Sequence, residues 1–185
     1  MRSEQQVESC EPRAASFEQL LIRYALKGLR LAAQSSQLVA IGFLILYSFL
    51  MTDKTILLVE DDSEDQFLMR EAFNDNGIGE SLRFANNGES AIEFLDKLNP
   101  KDLPSLIVMD LNMPRMNGRE TLTFLKLHPV YHTIPVIIYS TSINDIERIK
   151  CKEIGAAAYI TKPTTFTECQ EIAKWFHKIG NEEKT

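Results

Sequence analysis

Four places in this sequence set reactive or charged side chains directly after a short apolar run. Glu60, Asp61 and Asp62 follow TILLV, Asp110 follows SLIVM, Ser140 and Thr141 follow IPVIIY, and Lys162 and Pro163 follow AAYIT. Brought to one crevice, Asp61, Asp62 and Asp110 would be three carboxylates that repel and raise one another's pKa. A hard divalent cation with oxygen ligands relieves that repulsion. A hydroxyl at Ser140 can donate to an anion, and Lys162 can hold one as a point charge. Each residue also has a plainer reading: Asp62 as a helix N-cap, Ser140 as a strand-end turn residue, Lys162 as a surface lysine.

Whether these groups meet depends on the elements that carry them. TILLVE (55–60) and SLIVMD (105–110) are continuous apolar runs ending in acid, as strands buried on both faces would be. SLRFA (81–85), IPVIIYS (134–140) and AAYIT (157–161) read as further strands. Between and after them lie amphipathic stretches. The first runs from Asp62 to a stop at Gly77, and the others are 88–98, 117–128, 143–155 closed by Gly155, and 165–180. Asn99, Pro100 and Pro104 punctuate a loop. Strands alternating with helices predict βαβ units, hence an α/β doubly wound parallel sheet of five strands covered on both faces. In such sheets the active crevice lies beyond the carboxyl ends of the strands, where the four sets of residues fall.

LLVEDD, IVMDLNMPRMNG, IIYSTS and YITKP stand in this order along residues 54–180. In these motifs and their spacing the chain resembles the receiver domain of bacterial response regulators, the CheY-like family. The resemblance implies a flavodoxin-like strand order, 2-1-3-4-5. It implies Mg2+ held by Asp61 and Asp110, by the backbone carbonyl of Asn112, and by Asp62 through water. Asp110 would be the phosphoacceptor, because a carboxylate can attack phosphorus to form an aspartyl phosphate. Lys162 would neutralise a phosphoryl oxygen, aimed by a cis Lys162–Pro163 bond. Ser140 would be the hydroxyl switch residue and Tyr159 the switch aromatic, which turns inward on phosphorylation. Gly118 permits tight backbone after the PRMN loop. NPKDLPS, LNMPRMNGRE and IPVIIYSTS look most like receivers that pair with bacterial phytochromes and related hybrid kinases.

Composition narrows the classes. The 185 residues hold 20 Lys and Arg against 26 Asp and Glu, a net charge of −6, which argues against nucleic acid as a partner. Cys10, Cys151 and Cys169 show no CxxC spacing, so neither a disulfide scaffold nor a zinc site is expected, and free thiols fit a reducing cytoplasm. His128 and His132 read as surface residues, since Pro129 separates them.

Residues 1–51 differ from 52–185. They carry Arg2, Arg13, Arg23, Lys27 and Arg30 against Glu4, Glu8, Glu11 and Glu18, a net +1 that leaves −7 to the rest. The run LVAIGFLILYSFLM (38–51) has 14 residues, short of the roughly 20 that a membrane span needs. It reads as an accessory or non-native extension, a membrane anchor or a packed helix. As a span, its flanking cations would hold the N-terminal side in the cytoplasm and export everything after it, away from any kinase. The expectation is therefore that a membrane span is absent, that residues 1–50 contribute nothing to the receiver core, and that the working protein begins at or near Met51.

Two other classes fit the sequence less well. A haloacid-dehalogenase-type aspartyl-phosphate phosphatase wants a second Asp two residues after the nucleophile, where this chain has Asn112. A flavodoxin-like binding protein needs a phosphate-cradling first loop, and VEDDSED would repel phosphate without a metal. With no helix-turn-helix after the last helix, the reading is a single-domain response regulator. It would be phosphorylated by a sensor histidine kinase or hybrid kinase and act on an unknown downstream protein. The fourth helix, last strand and last helix would form a face that could also support a homodimer.

Overall fold

The computed structural model describes residues 54–182. The expectations for residues 1–51 and for a start at Met51 lie outside the described residues. Among the described residues, no helix is long and apolar enough to cross a membrane.

Five parallel strands form one sheet: β1 (Ile56–Val59), β2 (Leu82–Ala85), β3 (Leu106–Met109), β4 (Val136–Ser140) and β5 (Ala158–Thr161), in the order β2-β1-β3-β4-β5. Five α-helices connect and follow them: α1 (Ser63–Asp75), α2 (Gly88–Asp96), α3 (Gly118–Leu127), α4 (Asp145–Ile154) and α5 (Phe166–Asn181). Single 3-10 turns at Gly79–Ser81, Pro100–Asp102 and Tyr131–Thr133 shorten the approaches to β2, β3 and β4. The expected α/β class and strand order are both present.

The central strands are apolar throughout because both faces are covered. Leu57, Val59, Ile107, Met109, Val136 and Ile138 point to one side, against Ala91 and Leu95 of α2, Leu122 and Leu125 of α3, and Cys151 of α4. Ile56, Leu58, Leu106, Val108, Ile137 and Tyr139 point to the other, against Met69 and Phe73 of α1 and Cys169, Ala173 and Phe176 of α5. Each large aliphatic or aromatic side chain so buried contributes on the order of 1.5–3 kcal/mol.

Each of these five α-helices starts on a polar side chain that accepts from its first turn: Asp62, Asn87, Asn117, Asn144 and Thr165. Such caps contribute about 1 kcal/mol each. They also fix where each helix begins relative to the strand end before it, so the loops over the carboxyl edge of the sheet are short and set. α4 stops at Gly155, whose φ of 115° lies in the left-handed region that favours glycine.

Candidate functional site

Backbone hydrogen bonds that continue the sheet ladder put the strand ends side by side. Glu60 N–H donates to Ala85 O at 2.9 Å, Asp110 N–H to Val59 O at 3.0 Å, and Lys162 N–H to Ser140 O at 3.0 Å. Glu60, Asp110 and Ser140 are buried, and Asp61 is exposed at the rim. One carboxylate oxygen from each of Glu60, Asp61 and Asp110 lies within 4.8 Å of the others, a set that could hold a metal ion. Asp110 Oδ2 accepts from the Asn112 N–H at 3.3 Å, while Asp110 Oδ1 is buried with no hydrogen-bond partner. An orphaned carboxylate oxygen of this kind costs free energy unless something binds it. All the donors are oxygen, as a hard cation such as Mg2+ requires.

Lys162 is the counter-charge. Its Nζ lies 2.6 Å from Glu60 Oε2, 2.7 Å from Asp65 Oδ2 and 3.8 Å from Asp110 Oδ2. The ring of Tyr139 walls it in, with the ammonium 5.8 Å from the ring centroid. Burial works against the charge on Lys162, but its hydrogen bonds to Asp65 and Glu60 and the fields of Glu60 and Asp110 outweigh burial, so its pKa is raised. Burial pushes Glu60 up to about 7, against the opposing pull of Lys162. Gln66 tethers this corner by donating to Glu60 O at 2.6 Å and to Asn86 Oδ1 at 2.9 Å.

The loop after β4 forms the far wall. Ser140 is fully buried, and its Oγ accepts from the Ser142 N–H at 3.5 Å. Tyr159, half-buried on β5, donates its hydroxyl to Ser142 O at 2.8 Å and lies under the Arg148 guanidinium at 5.1 Å. Ser142 Oγ donates to Glu147 Oε2 at 2.8 Å, and Glu147 in turn pairs with Arg119 at 3.3 Å. On the opposite side the loop from Leu111 to Asn117 turns back on itself through a 3.0 Å hydrogen bond from the Gly118 N–H to Leu111 O.

A buried carboxylate, an acidic nest, a lysine and a hydroxyl loop meet at the carboxyl edge of a 2-1-3-4-5 sheet. The family model for the response regulator receiver domain matches residues 56–174. The chain belongs to that family.

Among curated receivers, it is 36% identical over 112 residues to the response regulator Rcp1 of Synechocystis sp., covering 59% of this chain and 76% of Rcp1. Among solved structures, the phosphorylated cyanobacterial phytochrome response regulator RcpA matches with a TM-score of 0.64 and 30% identity, over 72% of this chain and 98% of RcpA. The Mn2+-bound form of Rcp1 matches with a TM-score of 0.61 and 31% identity, over 71% of this chain and 97% of that one.

Of the residues expected to make up the receiver site, the structure brings Asp61, Asp110, Asn112 and Lys162 together and sets Ser140 at the next strand end. Asp62 Oδ1 accepts from the N–H groups of Glu64 at 2.7 Å and Asp65 at 3.3 Å, so Asp62 caps α1 as its plainer reading has it, and Glu60 joins Asp61 and Asp110 in the acidic nest. The expected cis Lys162–Pro163 bond is corrected, since no cis peptide bond occurs among the described residues. Lys162 reaches the site without one, its ammonium held by the buried Glu60 at 2.6 Å. His128, read as a surface residue, is half-buried and stacks on Tyr131 with ring centroids 3.9 Å apart. The signal for Glu60 lay in the helix start: an Asp two residues before Glu64 is a cap, which leaves the two acids before it for the nest.

Proposed function

We propose that this receiver is a response regulator of two-component signalling that accepts a phosphoryl group on Asp110 from the histidine of a sensor or hybrid kinase and passes the signal on by protein–protein contact. The observation that carries the reading is Asp110 Oδ1, buried and without a partner where Glu60, Asp61 and Lys162 converge. An oxygen of Asp110 attacks phosphorus, the bond from phosphorus to the donor nitrogen breaks, and the leaving histidine keeps the electron pair. Transfer of this kind asks for positioning and charge neutralisation more than for covalent help. Lys162 lies close enough to neutralise one phosphoryl oxygen. Asp61, Asp110 and the Asn112 carbonyl, with Glu60 in place of Asp62, would hold Mg2+, which supplies further charge neutralisation when bound. The only turnover expected is this self-phosphorylation and the later hydrolysis of the aspartyl phosphate.

Ser140 and Tyr159 form the switch in this reading. A phosphoryl group on Asp110 is a new acceptor for the Ser140 hydroxyl, and an arrangement of the loop that satisfies it gains population. Tyr159 then leaves Ser142 O and turns inward. The signalling face is α4, β5 and α5, where Ile146 and Ile149 of α4 and Ile143 just before it expose 63%, 56% and 79% of their surfaces. Such an apolar row suits a downstream protein or a second copy of the chain. The likeness to Rcp1 and to a phytochrome response regulator supports a phytochrome-type or related hybrid kinase as the donor, and dependence on an ATP-fed kinase would place the chain in the cytoplasm.

The test is phosphoryl uptake from acetyl phosphate, read by intact mass. The wild-type chain gains one phosphoryl group only when Mg2+ is present, and Asp110→Asn gains none. A phosphoryl gain on Asp110→Asn overturns the assignment.

A further inference from the structure

We infer that Asp65 is a positioning residue that parks Lys162 away from Asp110 and thereby restrains phosphoryl uptake; this deepens the reading of Asp110 as the acceptor and rests on it. The Lys162 ammonium has three protons. Two are engaged at short range, by Glu60 at 2.6 Å and Asp65 at 2.7 Å, whereas Asp110 Oδ2 stands off at 3.8 Å. Glu60 is buried and cannot withdraw into water, but the Asp65 side chain is 37% exposed and can. Asp65 and Lys162 both border a recess of about 210 Å3, with Leu68, Thr165 and Phe166, which leaves room for the carboxylate to swing out. Asp65 is thus the releasable member of the pair that holds the lysine.

Its placement follows from the helix start. Asp62 caps α1 and Ser63 begins it, so Asp65 falls in the first turn, facing the strand ends. A carboxylate is favourable there on helix grounds alone. Yet its side chain makes a 2.7 Å bond to a residue 97 positions away, which first-turn electrostatics do not require. An incoming phosphoryl group brings negative charge and needs the ammonium of Lys162. While Asp65 holds that ammonium, part of its charge is already neutralised. Release of Asp65 frees a proton of Lys162 for the phosphoryl oxygen as the Asp110–phosphorus bond forms and the donor's leaving group departs with the bonding pair.

The experiment compares rates of uptake from acetyl phosphate, with Mg2+, in the full chain. Asp65→Asn is expected to take up phosphate about two- to fivefold faster, the range that a partly exposed ion pair spans. Asp65→Glu, which keeps the charge, is expected to stay within about twofold of wild type. A second measurement separates pairing from simple repulsion of the donor by one more carboxylate. Repulsion is screened at 1 M salt, where the Debye length falls to about 3 Å, whereas a contact pair persists. The Asp65→Asn advantage should therefore survive at 1 M salt and vanish in a Lys162→Met background. An advantage lost with salt, or kept in Lys162→Met, overturns the inference, as does an Asp65→Asn rate equal to or below wild type. Absence of uptake by the wild-type chain overturns the acceptor reading itself, and the inference with it.

Discussion

The carbonyl oxygen of Asp110 occupies the space that a β-carbon on Gly118 would need. The same β-carbon would stand 2.9 Å from Leu111 Cα, so backbone rather than a yielding side chain blocks it on both counts. Gly118→Ala must therefore push the start of α3 away from the end of β3. The expected cost is about 2 kcal/mol or more, in the range of overpacked cores, together with slower phosphoryl uptake at Asp110. Gly77→Ala is the control. It has a φ of 71° but nothing within 4 Å, so it should cost about 1 kcal/mol and leave uptake unchanged. Urea denaturation paired with intact mass checks both. Equal uptake by Gly118→Ala and wild type would dismiss the coupling.

Asp62 and Asp61 are adjacent but should part company in metal titrations. Asp62→Ala removes the cap on α1 and should lower stability by about 1 kcal/mol, with Mg2+ or without it. Mg2+ is expected to raise the melting temperature of the wild-type chain, and Asp61→Asn, which removes a nest oxygen, should abolish that rise. Thermal melts over a Mg2+ series decide it. A lost Mg2+ response in Asp62→Ala would restore Asp62 to the ligand set.

Ser140→Ala should still take up phosphate, since the nucleophile is untouched, but should not switch. Hydrogen exchange with and without beryllofluoride, a phosphoryl mimic, should change across residues 140–163 in wild type and stay flat in the mutant. Identical traces in wild type would remove the switch role from Ser140 and Tyr159.

Tyr131 donates its hydroxyl to Asp96 Oδ1 at 2.6 Å, and that carboxylate, with burial, pushes the phenol from 10 up to about 12. The raised value means that the folded state holds this proton more tightly. The stabilisation is thus complete below about pH 10 and is lost as pH rises to about 12. Tyr131→Phe should cost on the order of 1–2 kcal/mol at pH 8, and the gap from wild type should close above pH 10. Urea midpoints from pH 8 to 11.5 test it, and a gap of constant size would refute the pairing.

The architecture was legible because the central strands are unbroken apolar runs, each ended by a residue that cannot be buried without a partner. Asp110 could be placed from that punctuation, whereas Lys162, which follows the edge strand β5, was placed by Pro163 and the resemblance that YITKP carries. The acids after β1 could not be sorted in the same way. Glu60, Asp61 and Asp62 are consecutive, and only the cap geometry of α1 tells which of them faces inward. Asp65 was invisible for a different reason: its partner lies 97 residues away, and no local pattern encodes that contact. The Lys162–Pro163 bond shows the limit of resemblance, because ion pairing aims the lysine here through a trans peptide.

Parallel pairing has a consequence for how this chain is made. Each crossover separates neighbouring strand ends by a whole helix, and the contact between Glu60 and Lys162 spans 102 residues. Synthesis proceeds from the N-terminus, so Asp110 exists long before Lys162. A nascent or truncated chain lacking β5 carries Asp110 without its counter-charge. On the proposed reading, competence to receive a phosphoryl group therefore arrives late, when β5 joins the sheet beside β4.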